Sequence, residues 1–179
     1  LKKNQKFWNS IQSPPLEKKG IILAEKASSD NFWSIQVSIA STIIAKSLGA
    51  KVLYLFKNQK ENNESDFKVQ KSFGACDMIF IDEICSGKEA SINNDARNIY
   101  DKLSKPEDIL NITFKGVVIG EQIYDTILKY KNATVWTIND KIIPHIKNAI
   151  KAYYVIDYLN IIYDMKAALF THSTCVYHG

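Results

Sequence analysis

Arginine is nearly absent from this chain. Of 23 basic residues only Arg97 carries a guanidinium; the rest are lysines, set against 19 acids for a net charge of +4. Nucleic-acid readers lean on the planar arginine fork, which matches phosphates and guanine edges. Its scarcity excludes specific nucleic-acid recognition as a first reading, and the lysines are scattered along the sequence rather than massed in one stripe. Abundant Lys, Asn and Ile follow from A/T-rich codons and require no partner. Cysteine is also sparse. Cys76, Cys85 and Cys175 are odd in number and irregular in spacing, so no disulfide framework is expected and a reducing cytoplasm fits. There is no run of ~18 apolar residues of the kind that spans a bilayer. The richest stretch, residues 142–163, is broken by His145, Lys147, Lys151 and Asp157. The front, residues 1–16, is polar with Pro14 and Pro15 and does not read as a signal peptide. Methionine occurs only at 78 and 165, with Leu1 in first place. The chain is therefore expected to be part of a longer protein.

Several glycine-based motifs are missing too. The turn after the first apolar run, Glu25 to Asp30, holds no glycine, so the G-x-G-x-x-G fingerprint of a dinucleotide site is absent. Ile79 to Glu83, IFIDE, resembles a strand carrying an acidic pair for Mg²⁺, but that reading needs a P-loop. At Gly87-Lys88 the required first glycine is Asp82 and the Ser/Thr is Glu89. Neither H-E-x-x-H nor G-x-S-x-G occurs, which removes the zincin and serine-hydrolase templates.

What is present is an alternation of strand and helix signals. At 179 residues and 46% hydrophobic composition the chain can bury a core unaided. Residues 1–19 read as a polar lead-in, with Phe7 and Trp8 available to dock it. Residues 20–179 read as one α/β domain. Ile21 to Glu25 is a buried strand, Asn31 to Leu48 a helix with Ile35, Ile39 and Ile43 at i+4 steps, and Gly49 its left-handed cap. Lys51 to Phe56 is the second strand and Asp66 to Phe73 a short helix. Met78 to Ile81 is the third strand, ending in Asp82-Glu83. Helices follow over Glu89 to Leu103, Glu121 to Tyr130 and Lys141 to Tyr163, the last with Ile142, Ile146, Ala149, Ile150 and Tyr153 on one side. Gly116 and Gly120 bracket the apolar Val117 to Ile119. Ala167 to Thr171 is the last strand. The expected fold is Rossmann-like and doubly wound, a mostly parallel sheet of four or five strands with flanking helices. Ligands of such sheets bind outside the carboxyl ends of the strands. The loops after Glu25, after Phe56, from Asp82 to Gly87 and from His172 to Gly179 meet on that edge.

Candidate site residues are read from that placement. Ser28 and Ser29, at a helix start, either cap the helix or help hold an anionic or hydroxyl-rich ligand through backbone N–H groups. His172 ends the last strand and either acts as a general base near neutral pH or is a satisfied structural histidine. His172, Cys175 and His178 have zinc-ligand chemistry, but without the paired spacing of known zinc sites no metal is expected. Tyr153, Tyr154, Tyr158 and Tyr163 read mostly as helix packing.

Two segments carry a resemblance. Phe114 to Tyr130, FKGVVIGEQIYDTILKY, resembles the G-x-x-I-G-(D/E)-x-I-Y-D segment of bacterial capsule and surface-polysaccharide biosynthesis proteins. Thr171 to Gly179, THSTCVYHG, resembles their S-H-x-x-Y-x-x-G segment. Glu121 stands where Asp is commoner, and Thr171 replaces the Ser before His172. The resemblance implies the N-terminal half of a GT-B-type glycosyltransferase, which holds the acceptor while a C-terminal half binds the donor. It implies that sugar passes from a nucleotide-sugar to a glycan or lipid-linked glycan acceptor. No cofactor is implied for this domain; the nucleotide-sugar belongs to a C-terminal domain outside this chain. It implies a cytoplasmic protein at the inner face of the membrane, peripherally associated in its full form. By position the resemblance implies that Gly120, Tyr124 and Asp125 shape the acceptor side and that His172, as base, faces the cleft with Tyr177; Glu25, Ser28 and Ser29 join the substrate-binding set from their place at the sheet edge. The rival from another class is a non-catalytic α/β module that binds a sugar, a nucleotide or a protein. A receiver-like domain is allowed by Glu25 and Asp82 but not by the long helix from Lys141 to Tyr163.

Overall fold

The sequence GIILAE has no polar side chain before its last residue, and it forms one of the two inner strands, β1 (Gly20–Glu25), paired on both sides. In the computed structural model of the protein, residues 1–11, 20–25, 31–56, 63–131, 135 and 137–170 are described. The other strands of the main sheet are β2 (Lys51–Phe56), β3 (Ala75–Phe80) and β6 (Asp164–Leu169). All pairings are parallel and the order is β3-β2-β1-β6. The helices are α1 (Lys2–Ser10), α2 (Asn31–Leu48), α3 (Asn63–Ser72), a single turn α4 (Ile81–Ile84), α5 (Glu89–Tyr100), α6 (Gly120–Lys131) and α7 (Ile143–Ile162). A short hairpin, β4 (Thr113–Phe114) with β5 (Val117–Val118), stands apart from the main sheet. The fold is α/β and Rossmann-like, with a four-stranded parallel sheet and flanking helices.

The chain divides into two compact units. Of the described residues, the first holds Leu1–Ile84 and 157–170, and so contains the whole parallel sheet; the second holds Cys85–Ile156. In the first unit, β1 and β2 supply the core. Ile22, Val52, Tyr54 and Phe56 are almost fully buried, and Phe67 and Phe80 pack on Phe56 with ring centroids 6.5 and 6.0 Å away. Each such aliphatic or aromatic side chain contributes about 2 kcal/mol by leaving water. The polar lead-in contains α1. Trp8 is buried, but Phe7 does not dock and stays 58% exposed. Asn4 Nδ2 donates to Ser72 Oγ (3.0 Å) and Ser72 O (3.2 Å), and Trp8 Nε1 donates to Asn4 Oδ1 (3.1 Å), which ties α1 to the end of α3.

Helix α2 has the expected bounds and the opposite orientation. Its buried side is Val37, Ser38, Ser41, Thr42 and Ala45, whereas Ile35 is 39% and Ile43 53% exposed. The reason lies on the neighbouring strand. Tyr54 stands on β2 with its hydroxyl in the interior, and Ser38 Oγ meets it at 2.7 Å. Thr42 Oγ1 donates to the carbonyl of Phe73. A buried phenol and a buried carbonyl need partners, and hydroxyl side chains supply them better than isoleucine does. Helix α2 ends as expected: Gly49 has φ 63°, and the Ala50 N–H donates to Ala45 O at 2.9 Å.

Two strand boundaries differ from expectation. β3 begins right after Gly74 (φ 106°) and ends at Phe80, opposite Phe56, where β2 also ends. Ile81 to Ile84 then turn into α4, so Asp82 and Glu83 are exposed on a helical turn instead of closing the strand. β6 starts at Asp164, because Gly20 at the head of β1 pairs with it, and not at Ala167. It is an edge strand whose exposure alternates, with a Lys166–Asp164 ion pair (2.6 Å) on its open side.

In the second unit α5 and α7 bury the faces anticipated for them: Ile92 and Ala96 on α5, Ile146, Ala149 and Ile150 on α7. α5 stops at Tyr100, before Leu103. The β4–β5 turn is Lys115-Gly116, with φ 48° and 83°. Positive φ at both central residues is the hairpin turn whose twist matches its strands, and it places a lysine where Asn or Gly is usual. Among the described residues, no helix is long and apolar enough to cross a membrane.

Candidate functional site

The strand order fixes where a ligand site belongs. From β1 the chain steps to β2 and then β3 on one side; β6 returns to lie on the other side of β1. The connections thus change direction between β1 and β6. In open α/β sheets the crevice outside the carboxyl ends of the strands at such a point takes the ligand. Both strands lie in the first unit. Ala24 pairs with Leu169 there, so the last residues of the two strands, Glu25 and Leu169, flank the switch point.

Glu25 is half-buried, and its Oε2 is shut off from solvent. A carboxylate accepts hydrogen bonds and can take up a proton. Ser28, Ser29, His172 and Tyr177 lie outside the described residues. Glu25 is the member of the candidate set that the described part of the switch point contains.

Gly120, Tyr124 and Asp125 belong to the second unit, on α6. Gly120 has a local structural task. A Cβ there would fall on the carbonyl oxygen of Ile109 and 2.5 Å from that of Leu110. Its own N–H donates to Ile112 O at 3.1 Å. Only glycine lets the start of α6 sit so close to the 3-10 turn Pro106–Asn111. That turn is held by Asp108, whose carboxylate accepts from the backbone N–H of Ser104 (2.9 Å) and Lys105 (3.0 Å) and from Ser104 Oγ (2.8 Å). These bonds lower the Asp108 pKa below the usual carboxylate range. Ile123 and Ile127 are the buried isoleucines of α6, Ile119 is buried just before it, and Tyr124 and Asp125 are half-buried.

A second set of polar groups in the same unit was not legible as a site in the sequence. Tyr153 and Tyr154, read there as helix packing, are half-buried and stand edge-on to Phe114, at 5.2 and 5.8 Å between centroids. Lys115 Nζ lies over all three rings, 4.7 Å from the centroid of Tyr154. Lys88 Nζ lies 5.8 Å from the same ring. The signal that could have pointed to it is Lys-Gly between two short apolar runs, which marks a hairpin tip with a lysine on it.

Among the described residues, no group of three or more His, Cys, Asp or Glu side chains could hold a metal ion. The His172, Cys175 and His178 set lies outside them. Compared with protein-family models, with curated proteins and with solved structures, the chain finds no match.

Proposed function

We propose that this chain is the acceptor-side domain of a glycosyltransferase that builds bacterial surface polysaccharide. What supports the reading is the reversal of strand order between β1 and β6, with Glu25 at the carboxyl end of β1. The resemblance of Phe114–Tyr130 and Thr171–Gly179 to capsule biosynthesis proteins adds to it. The glycines of the first segment are explained by local geometry, a turn at Gly116 and a close approach at Gly120, so that segment argues for a shared local fold. In this reading Glu25, with Ser28 and Ser29 after it, holds acceptor hydroxyls at the carboxyl edge of the sheet. His172 removes the proton from the attacking hydroxyl. The nucleotide-sugar donor is bound by a separate C-terminal domain, and the protein acts at the inner face of the cytoplasmic membrane.

The test is calorimetric titration with nucleotide-sugars and glycans, run on this chain and on the full-length product of its gene. The expected result is glycan binding by both and donor binding by the full-length protein alone, with Glu25→Gln weakening the glycan about tenfold as one charge-assisted hydrogen bond is lost. Donor binding by this chain, or no donor binding by the full-length product, sinks the transferase. Glycan binding without any transfer would leave the second reading, a sugar-binding α/β module.

A further inference from the structure

We propose that the rings of Phe114, Tyr153 and Tyr154 form a cation site that takes the trimethylammonium group of a choline-type ligand. Lys115 is its built-in occupant and is displaced when the ligand arrives. The inference does not rest on the transferase reading, and every residue it uses lies in the second unit.

Two elements build the site. Phe114 ends β4 and is buried, while Tyr153 and Tyr154 are neighbours on α7 and half-buried. The rings stand steeply to one another: 89° between Phe114 and Tyr153, 72° between Phe114 and Tyr154, and 80° between the two tyrosines. Lys115 Nζ lies 5.7, 5.6 and 4.7 Å from the centroids of Phe114, Tyr153 and Tyr154. All three distances fall inside the ~6 Å over which a ring attracts a cation. One ammonium group therefore meets three rings at once. The backbone is strained to put it there: Lys115 has φ 48°, at a hairpin position where Asn or Gly is usual. The attraction of the rings for a cation offsets that strain.

The chemistry of the rings selects the ligand. A primary ammonium group carries three N–H donors that want oxygen acceptors, and ring faces do not supply them. A trimethylammonium group has the same charge with methyl groups in place of the donors, so it gives up fewer hydrogen bonds to water on entering. Exchanging one cation for the other leaves the local charge unchanged. Lys88, whose Nζ is 5.8 Å from the Tyr154 centroid, then opposes the ligand no more than it opposes Lys115. Lys115 also has somewhere to go. It is exposed at the hairpin tip, and a Cβ on the adjacent Gly116 would meet nothing within 4 Å.

The test uses the whole chain with three probes: choline, its neutral isostere 3,3-dimethylbutan-1-ol, and a short trimethyl-lysine peptide. Binding is read from NMR shifts of the Tyr153 and Tyr154 rings. Choline should move both rings and bind about tenfold or more tighter than the isostere, which has its shape without its charge. Lys115→Asn removes the competitor and leaves Asn-Gly, a favoured pair for this turn, so the melting temperature should hold. Choline affinity should then rise about two- to fivefold, the weight of one exposed ammonium–ring contact. The proposal is overturned if choline moves neither ring, or if the isostere binds as tightly. It is overturned if Lys115→Asn fails to raise choline affinity, since Lys115 would then not share the site. Binding confined to Lys115→Asn also overturns it, because the lysine would be a fixed plug. Peptide binding about tenfold tighter than choline would make a modified protein the partner and overturn the choline-type reading.

Discussion

The hydroxyl of Tyr54 lies 2.7 Å from Ser38 Oγ, with both side chains almost wholly buried. Ser38 Oγ also donates to Ser34 O at 2.7 Å, so the phenol is the donor to Ser38. Burial raises the Tyr54 pKa above 10.0, with the Ser38 and Ser41 hydroxyls pulling weakly the other way. The folded state therefore holds this proton more tightly than the unfolded chain does. The resulting stability is complete below pH ~10 and is lost as pH rises above it. In an alkaline titration followed by phenolate absorbance, one tyrosine should stay silent until the protein unfolds. Tyr54→Phe should abolish that silent class and lower stability by about 1 kcal/mol for the lost hydrogen bond. A full complement of phenolates appearing in the folded protein would contradict the burial.

Gly120→Ala should destabilise the second unit by about 2–3 kcal/mol, because the added methyl group meets backbone carbonyls that cannot move without shifting the 3-10 turn or α6. Chemical denaturation reads this directly. Gly116→Ala should be damaging for a different reason: nothing lies near its Cβ position, but φ is 83°. If Gly120→Ala were neutral, the close approach would be wrong.

Ile43→Lys should change stability by less than about 0.5 kcal/mol, since that side chain is more than half exposed. A core isoleucine at that position would cost several times more. Ser41→Ile on the opposite side should be severe, because it overfills the packed face of α2 against the sheet. The pair of variants decides which side of α2 faces inward.

Asp108 supplies a stability contribution that is present above its ordinary pKa of 3.8 and lost as pH falls through its lowered folded value. Asp108→Asn should therefore flatten the acid limb of the stability–pH curve. It should also leave the backbone N–H groups of Ser104 and Lys105 with a weaker acceptor. An unchanged acid limb would mean that other carboxylates govern acid unfolding.

How far the sequence discloses all this depends on the residue. The inner strands are plain: Ile21 to Glu25 and Lys51 to Phe56 are short apolar runs, and a strand buried on both faces needs no more. The helix bounds of α2 are plain as well, since Gly49 marks where it must stop. Which face of α2 points inward is not, because isoleucine periodicity measures hydrophobicity while the packing was decided by Tyr54, a residue on another element. The ends of β3 and β6 were displaced for a related reason, as strands end where their neighbours do. Of the site, the carboxyl edge and Glu25 follow from topology alone. Lys88 and Lys115 read as scattered because they are distant in sequence and meet only over the Tyr154 ring.

The position of β6 beside β1 has a consequence for the order in which the molecule assembles. β1, β2 and β3 are joined by single helices and close short loops, whereas Gly20 must find Asp164 across the entire second unit. Loop-closure entropy makes such distant pairings late. During synthesis β1 is thus expected to wait with one edge open until residue 169 has left the ribosome. Within this sheet β1 would then be the last strand to gain both neighbours, and its register with β6 the last of the three pairings to gain protection against hydrogen exchange.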